Sequence, residues 1–316
     1  MEDSFMKFYL RNNGSQSKHT ESAMLMNIRR LEKVIGKPFD KIKLKDLQNP
    51  EELAAMLMSQ YALATTISTI LAVRHIIKFL KGSLDLRDQY DIVLKELVAQ
   101  RTENAHQQEK TAKEVENWIP YPELKQKVLD LAPKYLEGKK PSYTQFRNFM
   151  LLALYTLQPP SRIGNYLDMG VRDKGNMKRD GGSLNKKNNY LIHLGDGKYE
   201  FIFNKYKTSK SVGQVRNEIK DDTLNKILHR YIEEYQRGKT FLTNTNGTPM
   251  AQTAVSNSLK SITKKELGKE ISLNGFRHIF LTHFLSTNPS IEEKKRVLTL
   301  VGHKFIPSQA ELYQRF

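Results

Sequence analysis

Apolar residues recur at helical spacing along the first third of the chain. Met24, Ile28, Leu31 and Ile35 share one face, and Gly36 with Pro38 ends the run. Asn49-Pro50-Glu51-Glu52 reads as a helix start, with an amide N-cap, a proline in the first turn and carboxylates at the positive end of the dipole. A further helix is expected from Ala64 to Leu80, before Gly82. The stretch 84–117 has few apolar residues and ends in RTENAHQQEKTAKEVEN, which reads as a helix running into a polar linker. Trp118-Ile119-Pro120-Tyr121-Pro122 marks a fresh start, because closely spaced prolines bar a helix interior. These breaks predict a helical N-terminal domain over 1–100, a linker over 101–117 and a second domain over 118–316.

The pattern then changes. Tyr143–Leu157 is apolar almost all round, as in a buried helix, and Pro159-Pro160 ends it and presents Ser161-Arg162-Ile163-Gly164. Residues 170–188, rich in glycine and lysine, are expected to form a loop. Tyr190–Leu194 and Tyr199–Phe203 are β-rich runs around Gly195-Asp196-Gly197, a hairpin signal, with Gly213–Ile219 as a candidate third strand. Lys205-Tyr206-Lys207-Thr208-Ser209-Lys210 lies between them as a polar turn. From Asp222 the helical spacing returns, with Leu224, Ile227, Leu228, Tyr231 and Ile232 on one face. The fold class read from this pattern is mainly α with a small antiparallel β-sheet.

Charge narrows the choice of partner. The 316 residues carry 51 Lys and Arg against 34 Asp and Glu, a formal net charge of +17, which lowers the cost of approaching a polyanion. A solubility surplus or ribosome association are other uses of such charge. Arg29, Arg30, Lys33, Arg74, Lys78 and Lys81 decorate the N-terminal helices and suit contact with duplex DNA. The chain has no cysteine, which excludes disulfides, thiol catalysis and cysteine zinc sites. No apolar run approaches the ~20 residues that span a membrane. The N-terminal MEDSFMKFYLRNNG lacks the apolar core of a secretory signal. An intracellular protein that is not secreted and has no membrane partner is expected.

Candidate chemistry concentrates near the C-terminus, in NGFRHIFLTHFLSTNPSIEEKKRVLTLVGHKFIPSQAELYQRF. Arg277-His278, Gly302-His303 and Tyr313 follow in order. The arginine and histidines would supply positive charge and donors, and Tyr313 a hydroxyl nucleophile. Such equipment can attack a phosphodiester, whose transition state needs several fixed donors and whose covalent step needs a nucleophile.

This tail resembles the C-terminal motif of the tyrosine recombinases, the phage-integrase family. The resemblance covers roughly residues 15–316, with specific motifs in 118–316. It implies a two-domain DNA clamp: a helical core-binding domain and a catalytic domain. The motif positions carry over to Arg162 in PPSRIGNYLDM, Lys207 with Lys205 and Lys210 as rivals, Asn274, Arg277, His303 and Tyr313. The lysine is hard to choose, because residues 170–216 hold 11 Lys or Arg against 4 Asp or Glu.

Two positions depart from the family pattern. Asn165 stands where a carboxylate usually follows the first arginine, and Asn274 where the family has a histidine. An asparagine amide can hydrogen-bond a phosphate but cannot take up a proton. The resemblance implies double-stranded DNA with a specific recombination site as partner, a tetramer on that DNA, and no cofactor or metal. The implied activity is site-specific strand exchange by an integrase of a virus or mobile element, through a 3′-phosphotyrosine. A type IB topoisomerase-like nicking-closing enzyme and a non-catalytic DNA-binding relative remain open alternatives.

Overall fold

The computed structural model describes residues 1–14, 16, 18–107, 109–174, 184–302 and 315. The chain divides into two units, Met1–Gln107 and Gln108–Phe316. Each has its own apolar core.

The first unit is helical: α1 (Glu2–Asn13), α2 (Lys18–Ile35), α3 (Pro50–Gln60), α4 (Leu63–Phe79) and α5 (Leu84–His106). The predicted starts and stops have physical counterparts. The Asn49 side chain accepts from the Glu52 N–H at 3.2 Å, Pro50 takes the first helical position, and Gly36 follows α2 with φ 74°. Ile28, Leu31, Ile70, Val73 and Ile76 are almost completely buried. Each contributes about 1.5–3 kcal/mol relative to exposure. The stretch 101–117 is mostly helical. α5 runs through it to His106, and α6 (Ala112–Asn117) forms behind a capping box in which Thr111 and Glu114 satisfy each other's backbone N–H groups.

The second unit is built around α8 (Tyr143–Thr156), with α7 (Tyr121–Leu136) beside it. Eleven of the 14 residues of α8 are buried, so it is the spine that the other elements cover. Phe149 stacks on Tyr135 of α7 with ring centres 4.1 Å apart. Phe146 stacks on Tyr235 at 4.3 Å. The helices after the sheet are α9 (Asp222–Arg230), which runs into a π turn at Tyr231–Tyr235, then α10 (Gln252–Leu267), α11 (Leu273–Ser286) and α12 (Ile291–Val301).

The sheet has four strands in the order β1 (Gly170–Asp173), β2 (Tyr190–Gly195), β3 (Lys198–Phe203) and β4 (Val215–Glu218). β2–β3 is the predicted hairpin. Gly195, Asp196 and Gly197 all have positive φ, which explains the Gly-Asp-Gly text. Two expectations are corrected. The sheet is mixed, because β1 runs parallel to β2, and β1 lies inside the stretch expected to be a loop. Gly170 lets the two strands meet closely: a Cβ there would stand 3.2 Å from the Tyr190 ring. Among the described residues, no helix is long and apolar enough to cross a membrane.

Candidate active site

The last turn of α12 organises the site. Val297, Leu298, Leu300 and Val301 bury the inner face of this helix, and a Ser290–Glu293 capping box fixes its start. A helix end leaves carbonyls without intrahelical partners. Here three consecutive carbonyls accept from side chains of the candidate site. The Ser161 hydroxyl donates to Leu300 O. Arg277 Nη2 donates to Val301 O at 3.2 Å, and Arg162 Nε to Gly302 O at 3.0 Å. Both guanidiniums therefore stand at the negative end of the α12 dipole. Gly302 caps the helix with φ 86°, and a Cβ there would stand 3.0–3.1 Å from Arg162 side-chain atoms. Glycine is needed for its conformation and for the space it leaves to Arg162.

Arg162 sits at the start of a 3-10 turn, Ile163–Asn165, which follows α8 and its two prolines. Among the described residues it has no carboxylate partner, and Asn165 is buried. Arg277 lies in the first turns of α11, a helix capped by Ser272, whose side chain accepts from the Gly275 N–H at 3.0 Å. Asn274 is exposed, and its Oδ1 accepts from Arg277 Nη1 at 3.3 Å. His283, on the same helix, stacks on Tyr121 with ring centres 5.2 Å apart.

Ser161, Arg162, Asn165, Ser272, Asn274 and Arg277 line one cavity of about 810 Å³. Lys205 and Lys207 also border it, whereas Lys210 does not. Its wall holds five cationic side chains, Arg162, Lys187, Lys205, Lys207 and Arg277, against one acidic residue, Asp168. With the N-terminus of α11 adding partial positive charge, the cavity suits an anion with several oxygens. Among the described residues, no group of three His, Asp or Glu side chains is arranged to hold a metal ion.

Of the predicted site residues, Arg162, Lys207, Asn274 and Arg277 thus come together. His303, next in the chain after Gly302, and Tyr313 lie outside the described residues. Arg315 is described: its backbone N–H donates to Thr282 Oγ1 on α11 at 2.9 Å, which brings the chain end to the helix that carries Arg277.

The architecture can be compared with solved structures. Over 99% of this chain and 81% of the other, it matches the XerH site-specific recombinase bound to difH substrate in a pre-cleavage complex, at a TM-score of 0.59 and 12% identity. It matches a lambda integrase dimer bound to a COC′ core site over 98% and 94%, at a TM-score of 0.55 and 15% identity. For the Tn1549 transposon integrase in complex with circular intermediate DNA the values are 100%, 95%, 0.55 and 14%. The fold is that of the tyrosine recombinases. At these identities the likeness is one of architecture. No protein-family model matches the sequence, and no curated protein does.

Within this recombinase fold, several cavity residues carry no motif and were not singled out from the sequence. Ser161 and Lys187 are two. Tyr155 is a third: burial pushes its phenol well above the ordinary value, so it is a neutral donor, and its hydroxyl has no hydrogen-bond partner among the described residues. The tandem Asn188-Asn189 is a fourth feature, whose only sequence signal is a polar run just ahead of a strand.

Proposed function

We propose that this protein is a site-specific DNA recombinase of the integrase type, which cuts and rejoins DNA through a 3′-phosphotyrosine intermediate. The observation that carries the reading is the convergence of Arg162 and Arg277 on the end of α12, in a cation-lined cavity, immediately before His303, which itself stands ten residues before Tyr313 in the chain. The recombinase fold supports it, as do the DNA-bound states named for the XerH, lambda and Tn1549 structures.

The scissile phosphate sits between the arginines, whose planar forks each hold a non-bridging oxygen. The Tyr313 hydroxyl attacks phosphorus. A P–O bond to tyrosine forms and the P–O5′ bond breaks, leaving its electron pair on the 5′ oxygen. That oxygen takes a proton from Lys207 or Lys205, and the phenol proton passes to water. His303 donates to the phosphate as charge builds. A 5′ hydroxyl from a partner strand then reverses the step, so bond energy is conserved. Asn274 does not titrate and acts by holding Arg277. The partner is duplex DNA carrying a specific recombination site, with both units contributing to binding and four copies assembling on it. The protein works inside the cell that holds this DNA, in the service of a virus or mobile element.

The test is a nicked suicide duplex that traps the covalent adduct. Wild type should form a protein–DNA adduct, and Tyr313→Phe should bind the duplex and form none. An adduct with the Phe variant removes Tyr313 as nucleophile. Binding without cleavage by wild type favours the non-catalytic relative. Relaxation of supercoiled circles by a monomer, without strand exchange, favours the topoisomerase-like reading.

A further inference from the structure

The lysine loop and the arginine turn are joined by one buried amide. Asn189, 5% exposed, precedes β2. Its Nδ2 donates to Asn165 O at 2.8 Å and to Lys205 O at 2.9 Å. Its Oδ1 accepts the N–H groups of Asn204 and Lys205, both at 2.8 Å. That is the full complement of a carboxamide, and the partners leave one orientation possible. Asn165 O belongs to the turn that starts at Arg162, while Asn204 and Lys205 open the loop that carries Lys205 and Lys207 into the cavity.

Neighbouring bonds keep this loop in one shape. Asn204 Nδ2 donates to Asn188 O at 2.7 Å, Gln214 Nε2 to Asn204 Oδ1 at 2.6 Å, and the Tyr206 hydroxyl to Gly213 O at 2.7 Å. A second tie crosses from β4, where Asn217 donates to Gln158, which donates to the buried Tyr166 hydroxyl. A buried amide whose partners all lay in one loop would do no more than complete that loop's irregular backbone. Asn189 instead bonds two separate turns, and both of them deliver cationic side chains to one cavity.

We propose that Asn189 is a positioning residue for proton delivery to the leaving group: by tying the lysine loop to the Arg162 turn, it sets where the Lys207 or Lys205 ammonium meets the 5′ oxygen. This rests on the strand-cleavage reading above. Asn189 borders the cavity, but all four bonds of its carboxamide go to backbone groups, so it acts through the loop. The arginines, bonded to the end of α12, keep their places without it.

The test compares two suicide duplexes that differ in one bridging atom, a 5′ oxygen or a 5′ sulfur at the scissile phosphate. A thiol ionises near about pH 8.5, so sulfur leaves as a thiolate and needs no proton from the enzyme. Asn189→Asp keeps the size and replaces the donor nitrogen, with both its N–H bonds, by one oxygen that faces two carbonyls. It should cleave the oxygen duplex about 100-fold more slowly, the lower end of general acid catalysis, and the sulfur duplex within about threefold of wild type. Lys207→Ala and Lys205→Ala calibrate the signature of a lost proton donor. Should Asn189→Asp fail to fold, Asn204→Ala removes two outer bonds of the same loop and should show the same selective loss, smaller in size. Equal losses on both duplexes, or undiminished cleavage of the oxygen duplex, overturn the proposal. A wild type that cleaves neither duplex removes the strand-cleavage reading and this proposal with it. A wild type that cleaves both, with variants lacking the selective loss, removes this proposal alone.

Discussion

Arg162 and Arg277 reach the cavity from distant parts of the chain, yet both bond to carbonyls at the end of α12. Lys205 and Lys207 arrive on a loop shaped by the amides of Asn189, Asn204 and Gln214. The difference lies in what can be lost. Helix-end carbonyls exist whatever side chains α12 carries, so the arginine half depends on backbone geometry and on Gly302. The lysine half depends on particular side chains, and one altered amide can move it. A site of this kind should fail in two distinguishable ways.

The sharpest way to break the comparison is to remove an arginine. Arg162→Ala or Arg277→Ala should slow cleavage roughly 100- to 1,000-fold, the usual loss for one transition-state donor. The loss should be equal for oxygen and sulfur leaving groups, because these donors serve the non-bridging oxygens. Single-turnover rates on the two suicide duplexes measure this. Near-normal cleavage by either variant takes that arginine out of the site. A loss confined to the oxygen duplex would erase the division between the two halves.

A milder change tests whether backbone geometry places the arginines. Gly302→Ala forces a side chain into the left-handed region at φ 86°, which costs about 1–2 kcal/mol. Its Cβ would also press on Arg162, 3.0 Å from Nε, while that Nε is bonded to the same residue's carbonyl. We expect thermal unfolding to shift by the strain energy. Cleavage should fall about tenfold, as one displaced donor loses part of its stabilisation. Unfolding that shifts while cleavage holds would show that Arg162 has slack.

Much of this was legible beforehand, for physical reasons. α8 announces itself because a helix buried all round must be apolar all round, and the β2–β3 hairpin because Gly195-Asp196-Gly197 supplies three positive-φ positions. Arg162, Asn274, Arg277 and a lysine of the 205–210 turn were legible as motif positions. β1 was not. It holds one apolar residue, Val171, in polar text, and its strand character comes from parallel pairing with β2 across a long connection. Asn189 was hidden for a related reason: its partners lie 15 to 24 residues away, and nothing in Asn188-Asn189-Tyr190 tells a tie from a turn. The capping box at Thr111 and Glu114 was readable, but it sits in a charged run that reads as linker.

The smallest expected effect is at Asn274, where the family pattern has a histidine. Its Oδ1 holds Arg277 Nη1 at 3.3 Å on an exposed side of the cavity. Asn274→Leu keeps the bulk and removes the acceptor. Because the group is exposed, water replaces part of what is lost, and the cost should be about 1 kcal/mol, or about fivefold in cleavage rate. Asn274→His adds a group that titrates near about pH 6.5 when unperturbed. Neutral imidazole can accept from Arg277, whereas imidazolium beside the guanidinium repels it, which favours the neutral form and pushes the titration lower. The variant should therefore match wild type at pH 8 and lose activity relative to it as pH falls through the imidazole's titration. Wild type should show no such step from this position, because an amide does not titrate. Cleavage rates of the three proteins across pH 5 to 8 on the sulfur duplex, where the lysine's proton is not needed, isolate this arginine-side effect. A Leu variant equal to wild type makes Asn274 a spectator in the placement of Arg277.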